Sequence, residues 1–196
     1  MLMKNVLFYS QLSDYITSRI SISEDELKLV LSYFKPLSAK KKELIELEGD
    51  PVKRMYFVVK GHLRVYFLKP DGAEVTRRFA FENRFSTCLV SFISGEPLME
   101  STQAIVDTEL LYISRKDFYH LVETIPAWEN FYRKYLEGAY VTNTNRLQSF
   151  ITLDAYQRYQ LLLQENPEVI LRLSNKLVAN YLNISQEALS RLKSKV

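Results

Sequence analysis

Ser185-Gln186-Glu187-Ala188-Leu189-Ser190-Arg191-Leu192 places an amide, a carboxylate, a hydroxyl and a guanidinium within two helical turns. If Leu189 and Leu192 are buried, then Gln186, Glu187, Ser190, Arg191 and Ser194 share the exposed side. Such groups can hydrogen-bond base edges or phosphates: a guanidinium matches the acceptor pair of guanine, and a carboxylate accepts from the amine of cytosine. The surrounding charge agrees. Between Ile170 and Val196 the basic residues are Arg172, Lys176, Arg191, Lys193 and Lys195, and Glu187 is the only acid. That local excess attracts a phosphate backbone. A helical hairpin with a solvated basic face would show the same local pattern, so both readings stand at this level.

The elements that must position these groups are legible just upstream. Ser174 can cap a short helix carrying Leu177, Val178, Ala179, Tyr181 and Leu182, and Ser185 can cap the next. Asn183-Ile184 lies between them. Asn tolerates the left-handed backbone that a tight turn requires. The expected unit is two helices held by Val178, Leu182, Ile184, Leu189 and Leu192, with the small Ala179 at their close approach. Asp154 to Pro167, with Tyr156, Tyr159, Leu161 and Leu162, should precede them as a further helix after a hinge.

The first two-thirds of the chain has a different texture. An amphipathic helix is expected around residues 6–20. Ser23-Glu24-Asp25-Glu26 then forms a capping box ahead of Leu27, Val30, Leu31 and Phe34, and Lys35-Pro36 ends that helix. From Leu37 to Ile113, β-branched and aromatic residues cluster in short runs broken by Gly, Pro, Asp and Asn. Met55–Lys60 and Leu63–Leu68 flank Gly61-His62, and Lys69-Pro70-Asp71-Gly72 supplies a turn before Val75–Phe81. This pattern predicts an antiparallel barrel or jelly roll. A helix starts after Ser114, and Pro126 opens a longer one over about 127–150. On it Leu136, Ala139, Tyr140, Asn143, Leu147 and Phe150 form a stripe. The stripe either packs on the chain's own barrel or forms a parallel dimer seam with Asn143 setting the register.

Barrel, long helix and terminal helix pair, in that order, resemble the Crp/Fnr (cyclic-AMP receptor protein / fumarate-nitrate regulator) family of bacterial transcription regulators. Glu48-Gly49-Asp50, residues 55–65 and Ile184–Leu192 carry the resemblance most strongly. It implies an α+β chain with three parts: a cyclic-nucleotide-binding-like jelly-roll sensor over 1–125, a dimerisation helix and hinge over 126–153, and a helix-turn-helix DNA-binding domain over 154–196. In the family the residue after the cap, the following Glu and an Arg four positions beyond it read bases. They match Gln186, Glu187 and Arg191 here, with Lys176, Ser185, Ser190 and Lys193 as the other expected DNA contacts. Gln186 replaces the usual Arg, which should change the preferred operator. The chain stops five residues after Arg191, where family members usually continue into a β-wing, so the wing is expected to be short or absent. The implied partners are double-stranded DNA, a second copy of the chain and RNA polymerase, with no membrane.

The barrel departs from the cyclic-AMP-binding pattern. The family's phosphate cassette has Gly-Glu soon after a Phe, then an Arg about ten residues on. Here Phe85 is followed by Ser86-Thr87-Cys88, and no Lys or Arg occurs from Phe85 to Ser114. An anionic phosphate needs cationic and N–H donors. Cyclic AMP is therefore disfavoured. Either an uncharged or cationic effector is sensed through Thr87, Ser101 and Thr102, or the barrel acts structurally. A single Cys88 cannot hold an iron–sulfur cluster, and His62 and His120, the only histidines, suit packing or surface roles better than haem ligation. No cofactor is expected.

At 196 residues with a net charge of +3, 47% hydrophobic and one cysteine, the chain fits a folded cytoplasmic protein of two unequal domains. It excludes a disulfide-stapled scaffold. A metal-dependent jelly-roll enzyme would need a histidine cluster that is missing, and no phosphate loop or nucleophile elbow stands out, so catalysis is not expected. The competing expectation is a small-molecule sensor or scaffold that keeps the fold and does not bind DNA.

Overall fold

The computed structural model describes residues 2–194; Lys195, one of the basic residues counted above, lies outside them. The chain opens with α1 (Leu2–Thr17) and α2 (Glu24–Ser32). Ser23 and Glu26 close a reciprocal capping box at the start of α2, which ends ahead of Pro36.

Eight strands follow among the described residues: β1 (Lys35–Ala39), β2 (Leu44–Glu46), β3 (Arg54–Lys60), β4 (Leu63–Leu68), β5 (Glu74–Ala80), β6 (Arg84–Ser86), β7 (Ser101–Ala104) and β8 (Thr108–Ser114). They form two four-stranded sheets, ordered β1-β8-β3-β6 and β2-β7-β4-β5, the jelly roll expected from the sequence. The register is set by long antiparallel pairings such as Met55 with Ile113 and Phe57 with Leu111. Gly61 turns β3 into β4 at φ +84, and a Cβ there would lie 2.7 Å from Thr108 Oγ1 and 2.8 Å from the Asp107 carbonyl oxygen. Only glycine fits both constraints.

Between β6 and β7 lies α3 (Leu89–Ser94), a short helix with no periodic signature in the sequence. After β8 come α4 (Arg115–Thr124), capped by Ser114, and the 27-residue α5 (Pro126–Thr152). The core joining α1, the first sheet, α4 and the start of α5 is aromatic. Trp128 stacks on Phe131 at 4.6 Å, Phe57 meets Phe85 at 5.1 Å, and Phe118 meets Phe92 edge-on at 5.3 Å. Rings of this size bury a large apolar area and lock one another's orientation. Cys88 is buried with Sγ 3.1 Å from Ser91 Oγ, His62 is buried against Phe81, and His120 is exposed beside Tyr33.

The described residues after α5 form four helices: α6 (Ala155–Glu165), α7 (Pro167–Arg172), α8 (Asn175–Leu182) and α9 (Gln186–Lys193). Asp154 caps α6 in a second capping box with Gln157, at the start expected from the sequence. By its internal contacts the chain divides into two units. One comprises residues 1–65 and 80–136; the other comprises 66–79, the tip of the β4–β5 hairpin, together with 137–196. No helix among the described residues is long and apolar enough to cross a membrane.

Candidate nucleic-acid interface

Helix α8 begins at Ser174, whose hydroxyl accepts from the Leu177 N–H, and buries Val178, Ala179 and Leu182. The chain then turns at Asn183, which sits in the left-handed region at φ 56, ψ 48. Its N–H and that of Ile184 return to the carbonyls at the end of α8, Ile184 to Ala179 at 3.0 Å. Those bonds satisfy carbonyls that the helix terminus would otherwise leave open. Ser185 caps α9 by accepting from the Ala188 N–H at 3.1 Å, and Leu189 is fully buried beneath it. The two helices are tied again at their far ends, where Lys193 Nζ donates to Asn175 Oδ1 at 2.6 Å.

This arrangement sorts the expected DNA contacts. Gln186, Glu187, Ser190 and Arg191 are all exposed on α9, and Lys176 is exposed on α8. Ser185 is exposed with its hydroxyl engaged as a cap, and Lys193 is half-buried and holds Asn175. Ser194 ends α9 by donating to the Arg191 carbonyl. Arg172, on α7, pairs with Glu168 at 3.2 Å. The Glu187 carboxyl is held below the usual range, first by the backbone N–H at the start of α9, then by the Ser185 hydroxyl and the Arg191 charge. Its acceptor form is therefore favoured.

The barrel residues named as ligand candidates are placed otherwise. Thr87, Ser101 and Thr102 are all buried. Thr87 Oγ1 donates to the Arg54 carbonyl at 3.0 Å, Ser101 Oγ accepts from the Glu48 N–H at 3.0 Å, and Thr102 Oγ1 lies 3.5 Å from Glu46 Oε2. Each bonds to the barrel itself. The sequence reading also missed polar groups that other strands bring in. Arg64, on β4, is buried and donates from Nε to Gln103 Oε1 on β7 at 2.8 Å. Burial, followed by the Glu46 charge, pushes the Tyr56 phenol well above its ordinary range. Arg64 lies outside the contiguous segment after Phe85, and no local spacing in the sequence ties it to Gln103. In a sheet the relevant neighbours come from strands distant in sequence. Among the described residues no group of three or more His, Cys, Asp or Glu side chains is arranged to hold a metal ion.

The stripe on α5 also divides. Tyr140 and Leu147 are exposed, and Val141 and Ile151, not part of the expected stripe, are exposed with them. Leu136 packs against the barrel core. Ala139 is half-buried, and Asn143 accepts weakly from Arg77 at 3.5 Å. Phe150 is half-buried, with the guanidinium groups of Arg146 and Arg158 each 4.9 Å from its ring.

Residues 36–125 match the cyclic nucleotide-binding domain family. Among solved structures, FixK2 from Bradyrhizobium japonicum is 21% identical with a TM-score of 0.72, covering 83% of each chain. CooA from Carboxydothermus hydrogenoformans, in a mutant form, is 19% identical with a TM-score of 0.69 over 90% of this chain and 85% of its own. The Thermus thermophilus catabolite activator protein is 22% identical with a TM-score of 0.59 over 89% of this chain and 84% of its own. At these identities the likeness is one of fold. Among curated proteins, mouse patatin-like phospholipase domain-containing protein 7 is 34% identical over 83 residues, which is 42% of this chain and 6% of the mouse protein. Human patatin-like phospholipase domain-containing protein 6 is 32% identical over 89 residues, again 6% of that protein.

Proposed function

We propose that this chain, which has the Crp/Fnr fold with a cyclic nucleotide-binding domain over residues 36–125, is a homodimeric transcription regulator that reads a palindromic DNA operator through the helix beginning after Ser185. One observation carries the reading. Gln186, Glu187, Ser190 and Arg191 stand exposed on a helix that is rigidly presented by a left-handed Asn183 turn and a buried Leu189.

Arg191 supplies a forked donor suited to guanine, and Glu187 supplies an acceptor suited to cytosine. Gln186 and Ser190 add adaptable polar contacts. In this reading Lys176, exposed on α8, meets the phosphate backbone, and Lys193 contributes by holding α8 against α9. The exposed Tyr140, Val141, Leu147 and Ile151 of α5 support a helix–helix dimer seam, since apolar side chains at roughly heptad spacing on a long helix seek a partner. A two-fold dimer places its half-sites about one helical turn, roughly 34–36 Å, apart.

The barrel's role in this reading is as a sensor for something other than cyclic AMP, or as a scaffold. The segment from Phe85 to Ser114 offers no cation to a cyclic phosphate, and Arg64 is already bonded to Gln103. An effector would act by binding one arrangement of the dimer better than another.

Selection of genomic fragments by the purified protein, followed by a mobility-shift salt titration against Arg191→Ala, tests the proposal. A palindromic site bound by the wild type and lost in the variant is the expected result. Weak, salt-labile binding that the variant leaves unchanged would overturn it and favour a sensor or scaffold that does not read DNA.

A further inference from the structure

In the second sheet β5 is the end strand, so among the described residues one edge of its backbone has no strand neighbour. Two groups on that edge are nevertheless bonded. The Thr76 N–H donates to Asn180 Oδ1 at 2.6 Å, and Asn180 Nδ2 donates to the Glu74 carbonyl at 2.6 Å. The carbonyl of residue 74 and the N–H of residue 76 flank Val75 on the same side of the strand, the pair that a parallel neighbouring strand would engage with the N–H and C=O of one residue. A carboxamide offers the same donor and acceptor as a peptide group. Asn180 thus occupies the place of a neighbouring residue in the sheet, from a helix.

The adjoining contacts fix the same point. The Tyr181 ring lies 5.2 Å from that of Phe79 at the base of the hairpin. Arg146 of α5 donates to the Tyr181 carbonyl at 3.0 Å and stacks its guanidinium 3.8 Å from the Tyr181 ring centroid. Asn180 and Tyr181 immediately precede the turn to α9, and the Asn183 N–H bonds back to the Asn180 carbonyl. Holding these two residues therefore holds the turn and the helix after it. Propensity disfavours Asn within an eight-residue helix, and the two bonds to β5 give it a purpose there. They also leave Gln186, Glu187, Ser190 and Arg191 exposed.

We propose that Asn180 is a positioning residue for DNA reading, its carboxamide clamping α8 to the free edge of the β4–β5 hairpin so that α9 is presented in one fixed orientation. This rests on the reading of α9 as the recognition helix. The Asn180 carboxamide is engaged with β5 and reads no base itself. Its loss should weaken all operators by a similar factor, whereas loss of Arg191 should change which base is preferred.

The test uses the full-length protein and two readouts. Amide hydrogen exchange at Thr76 should be at least tenfold faster in Asn180→Leu than in the wild type, and recovered at least in part in Asn180→Gln, which keeps both the donor and the acceptor. Operator affinity should fall about tenfold in Asn180→Leu with base preference unchanged, and recover in parallel in Asn180→Gln. Wild-type exchange at Thr76 in Asn180→Leu would overturn the clamp. Wild-type operator affinity in Asn180→Leu, where Arg191→Ala has lost it, would overturn the positioning role. If Arg191→Ala also binds as the wild type does, the DNA-reading proposal fails instead, and Thr76 exchange still decides whether the clamp exists.

Discussion

The barrel and the terminal helix pair handle polar side chains in opposite ways. In the barrel, Thr87, Ser101, Thr102 and Arg64 are buried and each is bonded to another part of the same unit. On α9, Gln186, Glu187, Ser190 and Arg191 stand in water above a single fully buried leucine. A buried hydroxyl with an internal partner is already committed to stability, because removing it breaks a bond that holds two parts of the barrel together. An exposed donor or acceptor contributes little to folding and remains available to another molecule. Substitution should therefore separate the two regions cleanly, with the barrel residues moving stability and the helix residues moving binding.

The largest effect is expected where the two categories meet. Leu189→Ala removes the buried anchor of α9 and should destabilise the C-terminal unit by about 2–5 kcal/mol, the range for opening a cavity at a buried leucine. Urea unfolding followed by a probe in residues 137–194 would register it, and DNA binding should fall with it. A loss of binding with no loss of stability would mean that Leu189 does not anchor the helix.

Next comes a matched pair. Arg191→Ala should weaken operator binding by about 1–3 kcal/mol, the worth of one good bidentate base contact, while shifting unfolding by less than about 0.5 kcal/mol. Ser101→Ala should do the reverse. It removes the acceptor of the Glu48 N–H and should lower barrel stability by about 0.5–1.5 kcal/mol, the net worth of one hydrogen bond, with the operator affinity of the folded protein unchanged. Thr87→Val is a milder form of the same change, close in shape and lacking only the bond to Arg54, and about 1 kcal/mol is expected. If either barrel variant instead unfolded normally and lost the response to an added small molecule, these hydroxyls would be ligand contacts and the contrast would break.

What could be read from the sequence follows the range of the interactions. Helix caps are local, so Ser23, Ser114, Asp154, Ser174 and Ser185 were identifiable one by one, and each accepts an N–H near the start of its helix. The Asn183 turn was legible for the same reason. The jelly roll could be inferred from strand texture and turn residues, although its strand order depends on pairings such as Lys35 with Tyr112, seventy-odd positions apart. Interactions of that kind were not legible: Arg64 with Gln103, and Asn180 with β5. The α5 stripe shows the limit within a single helix. Helical spacing put Phe150 on one stripe with Leu147; Arg146 and Arg158 lie against the Phe150 ring, while Val141 and Ile151, outside that stripe, are exposed. Periodicity gives a face, and only packing decides how far that face extends.

The smallest expected effect concerns how α9 prepares its own acceptor. Glu187 is exposed, so its carboxyl would titrate near the ordinary value of 4.5 were it not for the backbone N–H at the start of α9, the Ser185 hydroxyl and the charge of Arg191, which all favour the ionised form. A carboxyl whose folded pKa is depressed contributes stability that is fully present above its unfolded value and is lost as pH falls through the folded value. The Glu187 contribution should accordingly be intact at neutral pH and fade only below the usual glutamate range. Carbon-detected NMR titration of the side chain should give a midpoint below 4.5, moving toward it in Ser185→Ala, where one of the stabilising bonds is gone. A midpoint unmoved by that substitution would show that the cap does not tune the acceptor, and that Ser185 serves α9 only by starting it.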